Sequence, residues 1–386
     1  MTKPPVIVLG AGLAGWTTVR EFRKLDAATP VTLITADSGD FYAKPSLSNA
    51  LAQRKTPAQL VTTPATRMAE TLNVTLLAHT RVSALDTAAR QVVTPLGRLE
   101  YSRLVVATGA QPIRIALGGD AADAVQSVNS LDDFAAFHAR LTPRARVLIM
   151  GAGLIGCEFA NDLAAAGHPV TVVDPGARPL AALLPVGAST ALSEALQAIG
   201  VQWLLGSSAR AVHRSGAALQ VQLVRADGSD AGAVTADVVL SAVGLRSDTG
   251  LAQAAGIACD RGIRVNDQLQ TSAPDVYALG DAAQYSSAGD RTLPYVMPIM
   301  AAARTLAAVL AGQDTRLSFA LMPVAVKTPA LPVVVASPAP GTPGEWHEAE
   351  PGLWQHLGTD GIQRGFVLTG KQTARRQEQA QRVVPA

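Results

Sequence analysis

Residues 6–15 read VIVLGAGLAG, an apolar run that ends directly in three closely spaced glycines, and a helical pattern follows at Trp16–Leu25. This order of strand, glycine turn and helix is typical of a dinucleotide-binding unit. Gly10 is expected to make the tight turn, Gly12 to let the backbone meet a pyrophosphate, and Gly15 to let helix and strand pack closely. The N-terminus of the helix then binds the phosphates.

The residues around this turn extend the predicted site. A second apolar run, Val31–Thr35, is followed by Asp37. That is about the distance at which an acidic side chain accepts hydrogen bonds from a ribose hydroxyl. We also predict contacts to this first dinucleotide from Leu13 and Ala14, which lie between the last two glycines.

The same arrangement recurs at residues 147–156, which read VLIMGAGLIG, with a helix predicted to end at Ala166 and a strand at Val170–Val173. A single motif of this kind is weak evidence because glycine-rich turns are common, but two complete units predict two dinucleotide sites. The candidate residues of the second site are Gly151, Gly153, Ile155, Gly156 and Asp174.

Asp174 also predicts which nicotinamide cofactor binds. A carboxylate at this position favours a free 2′-hydroxyl and repels a 2′-phosphate, so NADH is preferred over NADPH. Arg178, four residues later, would soften this preference if it met a phosphate, but we expect it to face solvent.

Length and composition place these units in an α/β protein. The chain has 386 residues, 48% hydrophobic and 16% charged, which is enough for two or three domains. We predict two Rossmann-like dinucleotide-binding domains and a small α+β C-terminal domain. The net charge of +2 is spread along the chain and gives no argument for nucleic-acid or membrane binding. Two separate cysteines suggest neither a disulfide framework nor a metal centre and fit a reducing cytoplasm.

Two further segments carry a resemblance to a known family. Residues 104–110 read LVVATGA and residues 271–281 read TSAPDVYALGD. With the two glycine motifs, this order resembles the flavoprotein reductases related to glutathione reductase. The resemblance implies that the first site holds FAD, the second holds NAD(H), and Thr108, Gly109 and Asp281 complete the flavin site. Asp281 would bind the ribityl chain.

The resemblance also implies the domain boundaries and three more cofactor contacts. The flavin domain would be discontinuous, with residues 1–115 and 246–315 on either side of a nicotinamide domain at 116–245, and 316–386 would form the C-terminal domain. Val82 and Val296 would contact FAD, and Gly244 would close the nicotinamide insertion.

The redox cysteines of many relatives are missing here. Residues 41–48 read FYAKPSLS, where glutathione-reductase-like enzymes carry CxxxxC, and Cys157 stands alone inside a predicted helix. A small buried thiol is therefore the preferred interpretation of Cys157. Flavin accepts a hydride and releases electrons singly, so the expected acceptor is a one-electron protein.

Three segments indicate which acceptor that is: YAKPSLS at 42–48, LPYVMPIM at 293–300 and MPVAVKTPA at 322–330. They resemble bacterial rubredoxin–NAD reductases, which feed alkane hydroxylases or oxygen-detoxifying systems. A reductase for a [2Fe–2S] ferredoxin, a signalling flavoprotein resembling apoptosis-inducing factor, and an NADH oxidase or peroxidase are the alternatives. Arg54, Lys55 and Arg304 are candidates for steering an acidic partner.

The same analogy assigns roles near the flavin ring. Lys44 would lie near flavin N5 and pair with Glu158, which would orient the nicotinamide, and Pro45 would shape the loop beneath the ring. A helix-surface carboxylate is the alternative for Glu158. Lys327 would meet the flavin pyrimidine edge or extend along the surface. We expect residues 372–386 to form a polar, frayed tail.

Overall fold

The computed structural model describes residues 4–384. Its helices are α1 Leu13–Leu25, α2 Pro57–Leu60, α3 Ala65–Leu72, α4 Leu131–Arg140, α5 Leu154–Ala165, α6 Val186–Ala198, α7 Gly250–Ala254, α8 Val296–Leu310 and α9 Arg376–Arg382. Its strands are β1 Val6–Leu9, β2 Val31–Ile34, β3 Phe41–Tyr42, β4 Val61–Thr63, β5 Thr75–Leu77, β6 Ala84–Asp86, β7 Gln91–Thr94, β8 Gly97–Glu100, β9 Arg103–Val106, β10 Ala110–Pro112, β11 Val147–Met150, β12 Val170–Asp174, β13 Val201–Leu205, β14 Ser207–Ser215, β15 Ala218–Arg225, β16 Asp230–Ala236, β17 Val238–Ser241, β18 Leu245–Ser247, β19 Ile263–Val265, β20 Val276–Ala278, β21 Ala283–Tyr285, β22 Val324–Val326, β23 Val333–Ala336, β24 Glu345–Glu350, β25 Leu353–Leu357 and β26 Gln363–Thr369.

The first compact unit contains residues 4–43, 61–111 and 245–320. Its main sheet has the strand order β20-β9-β1-β2-β5, and all neighbouring strands are parallel. β1 is buried along its whole length, as is typical of a parallel sheet covered on both faces. Because parallel strands end at one edge, the first glycine turn, Asp37 and Thr108 follow strands that end at the same edge of this sheet.

The second compact unit contains residues 44–60, 112–244 and 321–384. It repeats the design with the parallel sheet β13-β12-β11-β17 and adds an antiparallel sheet, β14-β15-β16. The C-terminal part forms another antiparallel sheet, β22-β23-β26-β25-β24. The predicted α/β class with two Rossmann-like units and a small C-terminal part is confirmed. The three-domain division with its exact boundaries stays a prediction.

The C-terminal tail differs from the sequence expectation. Residues 372–384 are not frayed, because they fold into a short 3-10 helix, Gly370–Arg375, and α9. Gln379 is fully buried, and its side-chain oxygen accepts hydrogen bonds from Gln355 and Gln363 at 3.1 and 3.2 Å. Polar composition does not predict this burial, because the three amides satisfy each other where α9 packs against β25 and β26. Residues 385 and 386 lie outside the described range.

Within residues 4–384, no helix combines the length and apolar character that crossing a membrane requires.

Candidate functional site

The two glycine turns have nearly the same geometry. Gly10 and Gly151 have φ angles of 105° and 106°, a region that glycine alone adopts readily. A Cβ on Gly15 would lie 1.9 Å from the carbonyl oxygen of Gly10, and a Cβ on Gly156 would lie 1.9 Å from that of Gly151. Each turn therefore has no room for a side chain between its strand and its helix, as the motif predicts.

The middle glycine of each turn is open. Among residues 4–384, a Cβ on Gly12 or Gly153 would meet no atom within 4 Å, and no side chain caps the N-terminus of the helix that follows either glycine. The first N–H groups of an α-helix have no intrahelical partner, and in α1 and α5 they follow directly on the open middle glycine. These features fit the pyrophosphates of FAD at the first turn and of NADH at the second.

The two acidic residues after the second strands are held differently. Asp37 accepts hydrogen bonds from the Thr35 hydroxyl at 2.6 Å and from the Gly39 N–H at 3.0 Å, within its own loop. Asp174 likewise accepts from the N–H two residues on, that of Gly176 at 2.6 Å, but its other oxygen accepts from the Ala152 N–H at 2.7 Å, so its carboxylate also lies against the middle of the second glycine turn.

Other residues near the second turn also have defined positions. Arg178 donates to the Leu184 carbonyl at 2.8 Å, which ties this arginine to its own loop. Ile155 is an exposed apolar residue in the first turn of α5, beside the glycines. Gly244 has a φ of 117° and accepts a hydrogen bond from the Ile113 N–H at 3.0 Å.

Seven more residues predicted for the flavin lie in the first unit, whereas Lys44, Pro45 and Lys327 belong to the second. Thr108 and Gly109 follow β9, and the Thr108 hydroxyl donates to the Asp248 carbonyl at 3.2 Å. Asp281 follows β20, which pairs with β9. Leu13 and Ala14 begin α1, Val296 begins α8, and Val82 packs against the hydrophobic core of this unit.

Glu158 is fully buried, so the helix-surface alternative is wrong. One of its oxygens accepts from the Ser48 hydroxyl at 2.6 Å and forms an ion pair with the Lys327 ammonium, and the other accepts from the Lys327 N–H at 2.9 Å. Lys327, whose side chain is 28% exposed, thus provides a cation that the sequence did not assign to Glu158. Lys44 and Pro45 begin the 3-10 turn that ends at Asn49 and carries Ser48. Their predicted roles at the flavin stay predictions.

Two more buried polar residues continue the same face of α5. The Asn161 side-chain oxygen accepts from the Ala330 N–H at 3.0 Å. The Asp162 carboxylate accepts from the N–H groups of Leu51 and Ala52, both at 2.9 Å. Burial raises the pKa of Asp162, and the backbone N–H groups oppose this rise. Sequence reasoning missed both residues, although polar side chains at i, i+3 and i+4 of an apolar helix are a detectable signal.

Cys157 has the environment of a structural thiol. It is fully buried in α5, and its Sγ donates to the Ala152 carbonyl at 3.4 Å. Burial raises the pKa of the Cys157 thiol, with further contributions from Asp174 and Glu158. The thiolate that redox chemistry requires is therefore disfavoured.

Comparison with known proteins agrees with this geometry. Residues 4–308 match the pyridine nucleotide-disulphide oxidoreductase family, and residues 316–383 match the rubredoxin binding C-terminal domain. The chain is 45% identical over 370 residues to the rubredoxin-NAD(+) reductase of Alcanivorax borkumensis, covering 95% of each protein. It is 42% identical over 332 residues to a nitric oxide reductase FlRd-NAD(+) reductase of Vibrio vulnificus, covering 86% of this chain and 85% of the relative.

Among solved structures, the chain is similar to putidaredoxin reductase in its covalent complex with putidaredoxin. The TM-score is 0.85 at 25% identity, covering 99% of this chain and 94% of the other.

Proposed function

Because the chain belongs to the pyridine nucleotide-disulphide oxidoreductase family, we infer that it is an NADH-dependent FAD reductase that passes electrons to rubredoxin. The observation that carries this conclusion is the match of residues 316–383 to a rubredoxin binding domain, together with 45% identity to a rubredoxin-NAD(+) reductase over nearly the whole chain. FAD is its cofactor and NADH its electron donor. Bound FAD accepts two electrons as a hydride and releases them one at a time.

We propose that the uncapped N-terminus of α1 binds the FAD pyrophosphate and that of α5 binds the NADH pyrophosphate. Asp174 lies against the second turn, where its negative charge disfavours a 2′-phosphate. This supports the preference for NADH.

We propose that Glu158 orients the nicotinamide of NADH. Its carboxylate is held by Ser48 and by both the ammonium and the N–H of Lys327, so it cannot turn away from its position in α5. A fixed acceptor of this kind positions a carboxamide without reorganising during the reaction. Lys44, proposed to lie near flavin N5, would stabilise negative charge on the reduced ring.

We propose the cytoplasm as the location of the protein, since NADH is a cytoplasmic cosubstrate. We also propose that the exposed residues Arg54 and Lys55 help to attract an acidic partner.

The acceptor is tested by NADH-dependent cytochrome c reduction with rubredoxin, with a [2Fe–2S] ferredoxin, and with neither. We expect rubredoxin to raise the rate by about tenfold or more over the carrier-free reaction, which corresponds to about 1.4 kcal/mol of barrier. The stimulation should decline as salt is added, because steering charges are screened. An equal rate with ferredoxin would leave the NADH and FAD sites in place but contradict the assigned partner.

Replacing Cys157 tests the absence of a thiol relay. Cys157→Ala is expected to keep the rubredoxin-dependent rate within about twofold of the wild type, because a buried thiol with a raised pKa is not a redox nucleophile. A thiol-blocking reagent at neutral pH should likewise leave the rate of the wild type unchanged. A large loss of rate with flavin content and stability intact would show that Cys157 carries electrons.

A further inference from the structure

The buried hydroxyl of Tyr285 forms hydrogen bonds with both the N–H and the carbonyl of Gly280, the residue before Asp281. Tyr285, in β21, is fully buried, and its ring packs edge-on against Phe319 at a centroid distance of 5.2 Å. Its hydroxyl accepts a hydrogen bond from the Gly280 N–H at 2.8 Å and donates one to the Gly280 carbonyl at 3.2 Å. A neutral phenol can do both at once. Burial raises the pKa of Tyr285, so the hydroxyl retains the proton that it donates.

Gly280 directly precedes Asp281, the residue proposed to bind the ribityl chain. The glycine has a φ of 77°, and a Cβ on it would lie 2.9 Å from the Cβ of Ala14, which is in the first turn of α1. On the other side of the turn, the Ser247 hydroxyl donates to the Asp281 carbonyl at 2.6 Å. Two side-chain hydroxyls from separate segments therefore hold consecutive peptide groups.

We propose that Tyr285 is a positioning residue for FAD, assisted by Ser247. By fixing the backbone of Gly280 and Asp281, the two hydroxyls set the direction in which the Asp281 carboxylate points. This inference rests on the proposed function, in which Asp281 contacts the flavin. Tyr285 lies outside both glycine motifs and outside the segment at 271–281, so sequence comparison with those motifs does not assign it this role.

Loss of the hydroxyl has a specific consequence. In Tyr285→Phe the ring can keep its contact with Phe319, but the N–H and carbonyl of Gly280 lose their partner in a place that water does not reach. Buried backbone groups rarely remain unpaired, so the turn is expected to shift until they find other partners. The Asp281 carboxylate shifts with it.

The test measures the affinity of the apoprotein for FAD. In Tyr285→Phe we expect the Kd for FAD, followed by quenching of flavin fluorescence, to rise by about tenfold, because the displaced Asp281 carboxylate would lose a hydrogen bond of ordinary strength to the flavin. The visible absorption bands of the bound flavin should also shift. The matched control is Tyr101→Phe, because Tyr101 is buried in the same unit and its hydroxyl has no hydrogen-bond partner within the described residues. Its Kd should equal that of the wild type.

Two further variants separate the possible failures. Ser247→Ala removes only the hydrogen bond to the Asp281 carbonyl and is also expected to raise the Kd for FAD. This variant tests the proposal if Tyr285→Phe does not fold. Asp281→Asn tests the proposed function itself. If Asp281→Asn weakens FAD binding but Tyr285→Phe and Ser247→Ala lower only the melting temperature, the positioning role is overturned and the flavin site stands. If Asp281→Asn binds FAD normally, the site assignment fails.

Discussion

Gly156→Ala is expected to slow flavin reduction at low NADH concentration by at least about 100-fold while the protein retains FAD. The new Cβ would lie 1.9 Å from the Gly151 carbonyl oxygen, so β11, the turn and α5 cannot keep their present spacing. Overpacking of this kind costs about 3 kcal/mol or more, which corresponds to a fall of at least about 100-fold in NADH affinity if the turn must be restored for binding. Stopped-flow reduction of the enzyme-bound flavin over a range of NADH concentrations measures this loss.

Gly153→Ala distinguishes a defect in NADH binding from a defect in the packing of the turn. A Cβ on Gly153 would meet no atom of the described part of the chain within 4 Å, so this variant should fold with wild-type stability. It should still bind NADH more weakly, because the methyl group occupies the path by which a pyrophosphate approaches the backbone. Gly118→Ala is the matched control, since its Cβ would make an ordinary contact of 3.5 Å with Ala211. Normal NADH affinity in Gly156→Ala would mean that the second turn is not the nicotinamide-nucleotide site.

The parts of the fold that were predictable are local in sequence. Each dinucleotide unit contains its strand, glycine turn and helix within about twenty consecutive residues. Each glycine is required because a side chain at its position would not fit the turn or the bound phosphates. The tight turn at Gly10 and the close packing at Gly15 follow from the motif, and the structure repeats both features at Gly151 and Gly156. The parallel sheets follow from the same units.

The parts that were not predictable depend on contacts between distant segments. Lys327 and Glu158 are 169 residues apart, and Asp162 is 111 residues from Leu51. No periodicity within either segment specifies such a pairing, because it is decided by tertiary packing. The burial of Gln379 was not predictable for the same reason. The polar composition of the C-terminal segment predicts exposure to solvent, whereas the hydrogen-bond partners of Gln379 lie in β25 and at the start of β26.

Lys327→Met is expected to destabilise the protein by about 3 kcal/mol, the lower end of the range for breaking a buried ion pair. The loss arises because Glu158 is fully buried and its carboxylate would lose the ammonium that pairs with it. Glu158→Gln should cost less, because the Lys327 side chain is 28% exposed and can reach water. Denaturant unfolding of the FAD-bound protein measures both effects.

The double variant Glu158→Gln/Lys327→Met distinguishes a structural pair from a functional one. Without either charge, the double variant should regain much of the stability lost in Lys327→Met, since a paired charge can be replaced by uncharged groups at little cost. If Glu158 also orients the nicotinamide, the KM for NADH should stay raised in both variants that carry the Glu158→Gln substitution, although the fold is restored. Recovery of KM together with stability would show that the carboxylate only holds α5 to Ser48 and Lys327. A KM that remains high in a stable double variant would instead place the Glu158 carboxylate at the nucleotide, because its amide replacement keeps the shape of the side chain and loses only the charge.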